Sequence, residues 1–485
     1  MLSFIYMKIS LSFTILVFST LSILVSAQGI LPEQWTLQDC VAQATERNIT
    51  VQRAKLQVAL AGNNLDGSRW AYTPNLNLGT NYFWNFGLNI DPVTNQISQQ
   101  SRQTANFNLS SNWSIYEGGR KYKSIARDNY SLKASRLEYE SAKNDISLAV
   151  VSNYLQILLN KEIQLVALQQ VRISDLQVRR CQKMVDAGSL PQGDLLQLQA
   201  QLARDQQNLI ASENSVKLSQ LQMANLLLLD DPSNFDVSPL TLAMPEATLI
   251  STSPAGIYNT SKERQPSIKS AEARVQVSEL NVDIAQAAFL PSLSLIAQVG
   301  TNYSDQIPNV TGSSDVFLPI GQVQTTGELV TTLSPQSIPT IDGVKPFSSQ
   351  IGDNLNQVVG INFSVPIFNS MSVKNNVQNA KINADVARLN VEDQKNSLKQ
   401  DVYQSHADAK AAFEQYKASV VSVSASQEAF NYAKQRFEVG AINQLDFESG
   451  KNNLASAKSQ FAQAKYDYIF KIKVLEFYLT NKVVL

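Results

Sequence analysis

The sequence predicts a mixed α/β membrane protein that is internally duplicated, with four barrel strands per protomer and long coiled-coil helices. Three observations carry this prediction. The N-terminus has the pattern of an export signal, four segments alternate between polar and apolar residues, and two very long segments have a helical pattern without proline. Together they favour a shared transmembrane β-barrel that continues into a long periplasmic α-helical barrel.

Composition excludes some function classes at once. The chain has 485 residues with 40 Lys and Arg against 41 Asp and Glu, and no dense basic run. A balanced charge gives nothing to attract a phosphate backbone, so we expect no nucleic-acid partner. Charged residues make up only 17% of the chain, which is low for a soluble protein.

The N-terminus is typical of a secretory signal peptide. Lys8 precedes an apolar run to Val25, and Val25-Ser26-Ala27 supplies small residues for cleavage. The alternative is an N-terminal membrane anchor. No later segment is long and apolar enough for a membrane helix, so any further membrane contact must be made by strands.

The two halves of the chain resemble each other. Tyr72 to Leu78 is similar to Phe289 to Leu295, and Gly188 and Asp194 match Gly440 and Asp446. A repeat this long indicates a duplicated half rather than a solenoid unit. The predicted segments are a signal peptide (1–27), an equatorial part with the first helix of repeat 1 (28–73), β-hairpin 1 (74–116, loop 87–102), long helical hairpin 1 (117–229), an inter-repeat equatorial segment (230–253), the first helix of repeat 2 (254–290), β-hairpin 2 (291–368, extracellular loop 304–356), and long helical hairpin 2 with the C-terminal end (369–485).

Four segments alternate with the period of a strand. In the first, apolar residues from Leu76 to Phe86 share one face and asparagines share the other, with Phe83 as the exception. Ten or more alternating residues suit a membrane strand, with one face toward lipid and one toward a wet lumen. A soluble sheet with one buried face is the alternative. The export signal and the aromatic residues near the strand ends favour the membrane.

The long helical segments run from about 118 to 187 and from about 369 to 439. A helix of about 70 residues extends roughly 105 Å, far more than a globular core needs. In the second segment apolar residues recur at coiled-coil spacing; they are Leu398, Val402, His406, Ala409, Phe413, Tyr416 and Val420. Gly188 and Gly440 should end these helices in the left-handed conformation. After each of these turns the chain should return as a second helix.

Four strands cannot close a barrel, and lipid does not tolerate exposed strand edges. At least two copies must therefore share one barrel. This plan resembles the TolC-like outer membrane efflux proteins. The resemblance rests on Tyr72 to Leu76 and its copy Phe289 to Leu293, on Ser364 to Phe368, and on Arg436 to Gly440 followed by Asp446.

The resemblance implies a homotrimer in the outer membrane that extends into the periplasm, with twelve strands against lipid and twelve tunnel helices. It implies a passive exit duct of a tripartite efflux or type I secretion system. Its partners would be a periplasmic adaptor (membrane fusion protein) and an inner-membrane transporter. Drugs, toxic metals or secreted polypeptides are the family's cargo classes.

The resemblance also suggests a gate. Asp446 matches an aspartate ring at the periplasmic aperture, where three carboxylates would favour cations. The family has a second aspartate where this chain has Ser449, and Asp446 could simply favour a helix N-terminus. Asp194 is expected either to cap its helix or to contribute to the gate. Phe437 stands where a polar latch partner would be, so apolar packing could replace the latch.

The turns match the places where family members meet their adaptor. The candidate docking residues are Gly188, Ser189, Leu190, Val439, Gly440 and Ala441. The glycines could equally serve only the turn.

Little in the sequence suggests catalysis. With one histidine and no hydrolase or phosphate-loop motif, we expect no enzyme activity, no cofactor and no metal site. His406 is expected to pack in a helix seam, although three symmetric copies could bind a metal. Cys40 and Cys181 are expected to be buried and unpaired. A structural coiled-coil protein of the cell envelope without a pore, and an exported enzyme, are the alternative functions.

Overall fold

The structure is a computed structural model that describes residues 34–90, 97–98, 101–232, 234–239, 244 and 247–481. The predicted signal peptide, residues 1–27, lies outside them. In the described part of the chain, no helix combines the length and the apolar character needed to cross a membrane.

Two helices have the predicted exceptional length, since α3 and α8 each contain 67 residues. Glycine and proline are absent from both, so nothing in their sequence interrupts the hydrogen-bond ladder. The helices are α1 (Leu37–Arg47), α2 (Ile49–Trp70), α3 (Arg120–Asp186), α4 (Gln192–Leu227), α5 (Pro254–Arg264), α6 (Pro266–Ala287), α7 (Phe347–Asp353), α8 (Ser372–Glu438) and α9 (Gln444–Thr480).

The helices of the two halves pair in order and in length. Each half begins with a helix of 11 residues followed by one of 22 residues. Each half ends with a 67-residue helix and a return helix of 36 or 37 residues. Helix α1 begins with a capping box formed by Thr36 and Asp39.

Four long strands form one antiparallel sheet in the order β1-β4-β5-β10. The predicted alternating segments are therefore all strands of this sheet, with β1 and β10 at its two edges. Short strands form separate two-stranded ribbons. The strands are β1 (Asn77–Asn85), β2 (Asn89–Ile90), β3 (Ile97–Ser98), β4 (Arg102–Glu117), β5 (Ser292–Ser304), β6 (Pro308–Val316), β7 (Pro319–Gln322), β8 (Leu329–Thr331), β9 (Gln336–Val344) and β10 (Asn356–Ser364).

The strand register makes the sheet two-sided. Residues opposite each other in a ladder share one face. One row across the sheet is Leu78, Leu109 and Val299, which ends in Gln357 on the edge strand, and another is Trp113, Leu295 and Ile361. The intervening rows are polar, as in Asn81, Asn106 and Asn302 or in Ser114, Ser294 and Asn362. The sheet therefore has one mainly apolar face, with polar exceptions such as Gln357 and Thr301, and one mainly polar face, with apolar exceptions such as Ile296 and Val358.

The segment 304–356, predicted as a loop, contains regular structure. Strands β6 and β9 pair as a ribbon, and β7 pairs with β8. Helix α7 packs on the apolar face of the sheet, where the Phe347 ring lies 5.3 Å from Tyr303 and 6.2 Å from Phe107. The buried Gln350 side chain hydrogen-bonds both the amide and the carbonyl of Ser304 at 2.9 Å. These contacts join distant residues, so local sequence did not reveal them.

The chain divides into two compact units. One comprises the described residues up to Ala54, Tyr139–Gln265 and the residues from Asn396 onward; the other comprises Lys55–Glu138 and Pro266–Lys395. The four-stranded sheet belongs to the second unit. The two helical turns with the candidate gate and docking residues belong to the first.

The main core of the first unit lies where the inter-repeat segment and the residues before α1 meet the long helices. Tyr154 of α3 is fully buried. Its hydroxyl donates to the Ser238 carbonyl at 2.8 Å and lies 3.3 Å from the Trp35 carbonyl. Trp35 also forms a parallel bridge with Val237. The inter-repeat segment and the residues before α1 are thus fastened to α3.

The predicted seam of α8 is only partly buried. Val402 and Ala409 are completely enclosed, whereas Val420 is 39% exposed. His406 is half-buried, and its Nε2 lies 3.1 Å from the Ile250 carbonyl oxygen, a contact that requires the proton on Nε2. The part of the chain that the structure describes contains no group of three or more His, Cys, Asp and Glu residues placed to hold a metal.

Candidate gate and docking turns

Both helical turns end in the same left-handed motif. Gly188 has φ +72° and Gly440 has φ +77°. In the first turn, the Gly188 amide donates to the Val185 carbonyl and the Ser189 amide donates to the Met184 carbonyl. In the second turn, the Gly440 amide donates to the Phe437 carbonyl and the Ala441 amide donates to the Arg436 carbonyl. These paired bonds define a Schellman cap, which confirms the predicted role of the two glycines.

The candidate docking residues lie mostly on the surface. Gly188, Ser189, Gly440 and Ala441 are exposed, and Val439 is 80% exposed.

Leu190 is half-buried instead and packs against Leu195 and its neighbours. A residue before the helix that touches the fourth helical residue is a hydrophobic staple, which fixes the direction of the returning chain.

The predicted capping role of Asp194 is wrong. Helix α4 begins after Pro191, which provides no side-chain cap, and Asp194 already lies inside the first turn. Its amide donates to the Pro191 carbonyl, and its side chain is exposed. A carboxylate there still stabilises the helix through its dipole. Burial, and then the charge of Asp194, raise the pKa of the neighbouring Cys181 thiol.

Asp446 lies in the first turn of α9, and Asn443 is the cap. The Asp446 amide donates to Asn443 Oδ1 at 2.8 Å. The Asp446 carboxylate takes no part in this cap and is exposed. The sequence signal for this cap is the asparagine Asn443 three residues before Asp446, directly ahead of the helix. The carboxylate is therefore free to face solvent while its backbone is held.

Phe437 belongs to an aromatic cluster beside the turn. Its ring stacks on Phe447 with centroids 4.7 Å apart, and Phe447 also contacts Phe430 at 5.6 Å. Ile442 and Ile173 pack against the same cluster. Apolar packing by Phe437 is thus present within one chain.

The two turns are also linked to each other. Ile173 and Arg180 belong to α3, and Arg180 donates to the Glu438 carbonyl at 3.4 Å. The end of hairpin 1 therefore contacts the end of hairpin 2 inside the same unit.

Sequence reasoning missed a buried ionic cluster close to these turns. Lys451 on α9 is fully buried and lies 2.9 Å from Asp205 on α4 and 2.6 Å from Ser174 on α3. Glu448, one turn earlier on α9, lies 2.7 Å from the same ammonium group. The Glu448 to Lys451 spacing was visible in the sequence, but its partners on other helices were not.

A polar cavity of about 750 Å³ lies along α3, α8 and α9 in the same unit. Its lining includes Gln156, Gln415, Gln460, Gln463 and Asp467.

Both unpaired cysteines are buried, and they lie on different helices. Burial raises the pKa of Cys40 to about 12, with a further contribution from the charge of Asp39. A thiol held protonated in this way is a poor nucleophile.

Comparison with known proteins places this fold in a family. Among curated proteins, the pyoverdine export outer membrane protein OpmQ of Pseudomonas putida is 30% identical over 228 residues, covering 45% of this chain and 46% of OpmQ. A probable efflux pump outer membrane protein, TtgC of Pseudomonas putida, is 26% identical over 223 residues, covering 45% of this chain and 38% of TtgC. The chain spans less than half the length of these relatives.

Two solved structures share the fold. The CmeC outer membrane channel of Campylobacter jejuni has a TM-score of 0.69 at 18% identity, covering 91% of this chain and 85% of CmeC. The open MtrE outer membrane channel of Neisseria gonorrhoeae has a TM-score of 0.64 at 16% identity, covering 93% of this chain and 91% of MtrE. The family model described as outer membrane efflux protein matches residues 40–227 and 257–475. The chain belongs to the outer membrane efflux protein family.

Proposed function

We propose that this protein is the exit duct of a tripartite efflux or type I secretion system. It would passively conduct small molecules or polypeptides across the periplasm and the outer membrane. The protein belongs to the outer membrane, as its family does. On the apolar face of the sheet, Leu78 is 76% exposed and Ile361 is 72% exposed, which does not fit a soluble spacer whose sheet buries one face.

The two-sided sheet is the observation that carries this proposal. Apolar rows such as Leu78, Leu109 and Val299 suit lipid, and the asparagine and serine rows suit a wet lumen. The edges β1 and β10 have no strand beside them among the described residues. Lipid offers no hydrogen bonds to such edges, so other copies must pair with them.

Three copies would supply twelve strands and close the barrel. A homotrimer also agrees with the resemblance noted in the sequence. The equal lengths of the paired helices, such as 67 residues for both α3 and α8, support an origin by duplication of one half. Each copy would then contribute two quasi-equivalent pairs of strands and helices.

The exposed turns are the proposed contact with a periplasmic adaptor, which would link the duct to an inner-membrane transporter. Val439 presents an apolar side chain to solvent beside Gly440. A contact with the adaptor would remove this apolar side chain from water. One relative is named for an efflux pump and another for pyoverdine export, which supports work with a pump or an exporter.

We propose that Asp446 contributes a ring of three carboxylates at the periplasmic aperture, with Asp194 nearby in the first hairpin. Both carboxylates are exposed in the first turn of a return helix. Three negative charges around one axis attract cations and repel anions. Phe437 would supply apolar packing where a polar latch is missing.

Single-channel recording in planar bilayers tests the duct and its aperture together. The purified protein should form channels of defined conductance, and Asp446→Asn should lower the preference for cations over anions. Glu428→Gln is the matched control, because Glu428 is an exposed carboxylate on a different helix, α8. A stable monomer that stays soluble without detergent and forms no channel would contradict the proposal.

A further inference from the structure

The most unusual group in the first unit is the Lys451 ammonium. Lys451 has 0% side-chain exposure, and its partners Asp205 and Glu448 have only 5% and 13%. Removing an ammonium group from water is strongly unfavourable unless charges and hydrogen bonds replace the water. Here two carboxylates and the Ser174 hydroxyl do so, and Gln201 donates to the second oxygen of Asp205 at 2.9 Å.

This network joins three helices from both hairpins. Ser174 is on α3, Asp205 is on α4, and Lys451 is on α9. The surrounding contacts are apolar, with Phe447 and Leu454 of α9 packing beside Phe430. Apolar packing has little directional preference, so it tolerates rotation of a helix. A buried charge tolerates almost none, because rotation would leave it without partners.

Helix geometry connects this fixed residue to Asp446. The two residues are five positions apart on α9, so their side chains point about 140° apart around the helix axis. With Lys451 turned inward to Asp205, Asp446 must point outward. The structure agrees, since Asp446 is exposed and Lys451 is enclosed.

We propose that Lys451 is a positioning residue that fixes the rotation of α9 and thereby the direction of the Asp446 carboxylate. Asp205 is its essential partner. The consequence for ion selectivity rests on the proposed duct function. Removing the pair should change where Asp446 points even when the helices remain folded.

A catalytic role for the same residues does not fit. A serine beside a lysine resembles a nucleophile with its base. However, Ser174 is 1% exposed and Lys451 is closed from solvent, so no substrate reaches the hydroxyl.

The test compares Lys451→Met with the double variant Lys451→Met, Asp205→Asn in the full-length protein extracted from outer membranes. The single variant leaves Asp205 buried without its counter-ion and should lower the thermal midpoint sharply. The double variant removes the Lys451 and Asp205 charges and leaves only Glu448, the more exposed of the two carboxylates, without its counter-ion, so its thermal midpoint should return part of the way toward that of the parent. Its cation preference should nevertheless stay altered, because nothing then fixes the rotation of α9. Lys434→Met, at an exposed lysine on α8, should change neither quantity.

A second readout is independent of conduction. In an Asp446→Cys background, the double change should alter the rate of labelling by a water-soluble maleimide several-fold, while Lys434→Met should not. The buried Cys40 and Cys181 should react slowly in every variant. An unchanged labelling rate in the double variant overturns the positioning role. Failure of the parent to form channels would instead count against the proposed duct and leave the labelling result valid.

Discussion

At the scale of single residues, Asp236 shows how polar contacts hold the inter-repeat segment. Its carboxylate accepts from Lys161 at 2.5 Å, from Gln220 at 2.8 Å and from the Val237 amide at 2.8 Å. Burial by itself raises the pKa of Asp236, but these donors, led by Lys161, outweigh it and lower the pKa below its usual value. The ionised form is therefore the one that the fold stabilises.

Asp236→Asn should lower stability at neutral pH by about 0.5–1 kcal/mol, a modest value because the pair is partly screened by solvent. Since the pKa is lower in the folded state, this stabilisation is complete above about pH 4 and is lost as pH falls through the folded pKa. Thermal midpoints in detergent across this range measure it. Asp230→Asn, at an exposed position, should show no such pH dependence; equal curves for both variants would contradict the assignment.

At the scale of elements, the turn from β4 into α3 depends on two glycines with different surroundings. Both Gly118 and Gly119 have positive φ, at +61° and +79°. A Cβ atom on Gly118 would lie 2.6 Å from the Ala287 carbonyl oxygen and 2.8 Å from the Leu290 Cβ. A Cβ atom on Gly119 would meet nothing within 4 Å. A comparison of substitutions at the two positions therefore separates the cost of backbone strain from the cost of steric crowding.

Gly119→Ala should cost about 1–2 kcal/mol for the left-handed conformation alone. Gly118→Ala should cost about 1–3 kcal/mol more, because the helix α6 backbone must move away. Thermal unfolding of each purified variant provides the comparison. Equal losses for the two variants would show that the close approach to Ala287 does not constrain the turn.

At the scale of the whole molecule, the two faces of the sheet should respond differently to charge. Leu109 lies on the apolar face of β4, and Asn106 lies on the polar face of the same strand. An arginine facing lipid near the bilayer centre costs about 2–4 kcal/mol, whereas a lumen-facing arginine is tolerated. Leu109→Arg should therefore reduce the amount of assembled oligomer in outer membranes.

The measurement is the fraction of protein that runs as an assembled oligomer after mild detergent extraction. Asn106→Arg is the matched control and should assemble like the parent protein. If both arginines assembled equally well, the apolar face would not be the lipid-facing one, and the barrel proposal would lose its main support.

The sequence predicted the elements better than it predicted their contacts. Alternation with period two located all four long strands, and the absence of proline located α3 and α8. These features depend on local backbone geometry, so a local pattern suffices. The segment 304–356 was different, because the pairing of β6 with β9 and the contact of Phe347 with Tyr303 join residues far apart in sequence.

The sequence by itself determined the order of strands and long helices and the two glycine turns, because each follows from hydrophobic periodicity or from the φ that glycine permits. Only the tertiary structure decided that Pro191 precedes α4 and leaves Asp194 inside its first turn. Only it brought Lys451 to Asp205 and Ser174. A buried charge is recognised by its partners, and those partners are supplied by other helices.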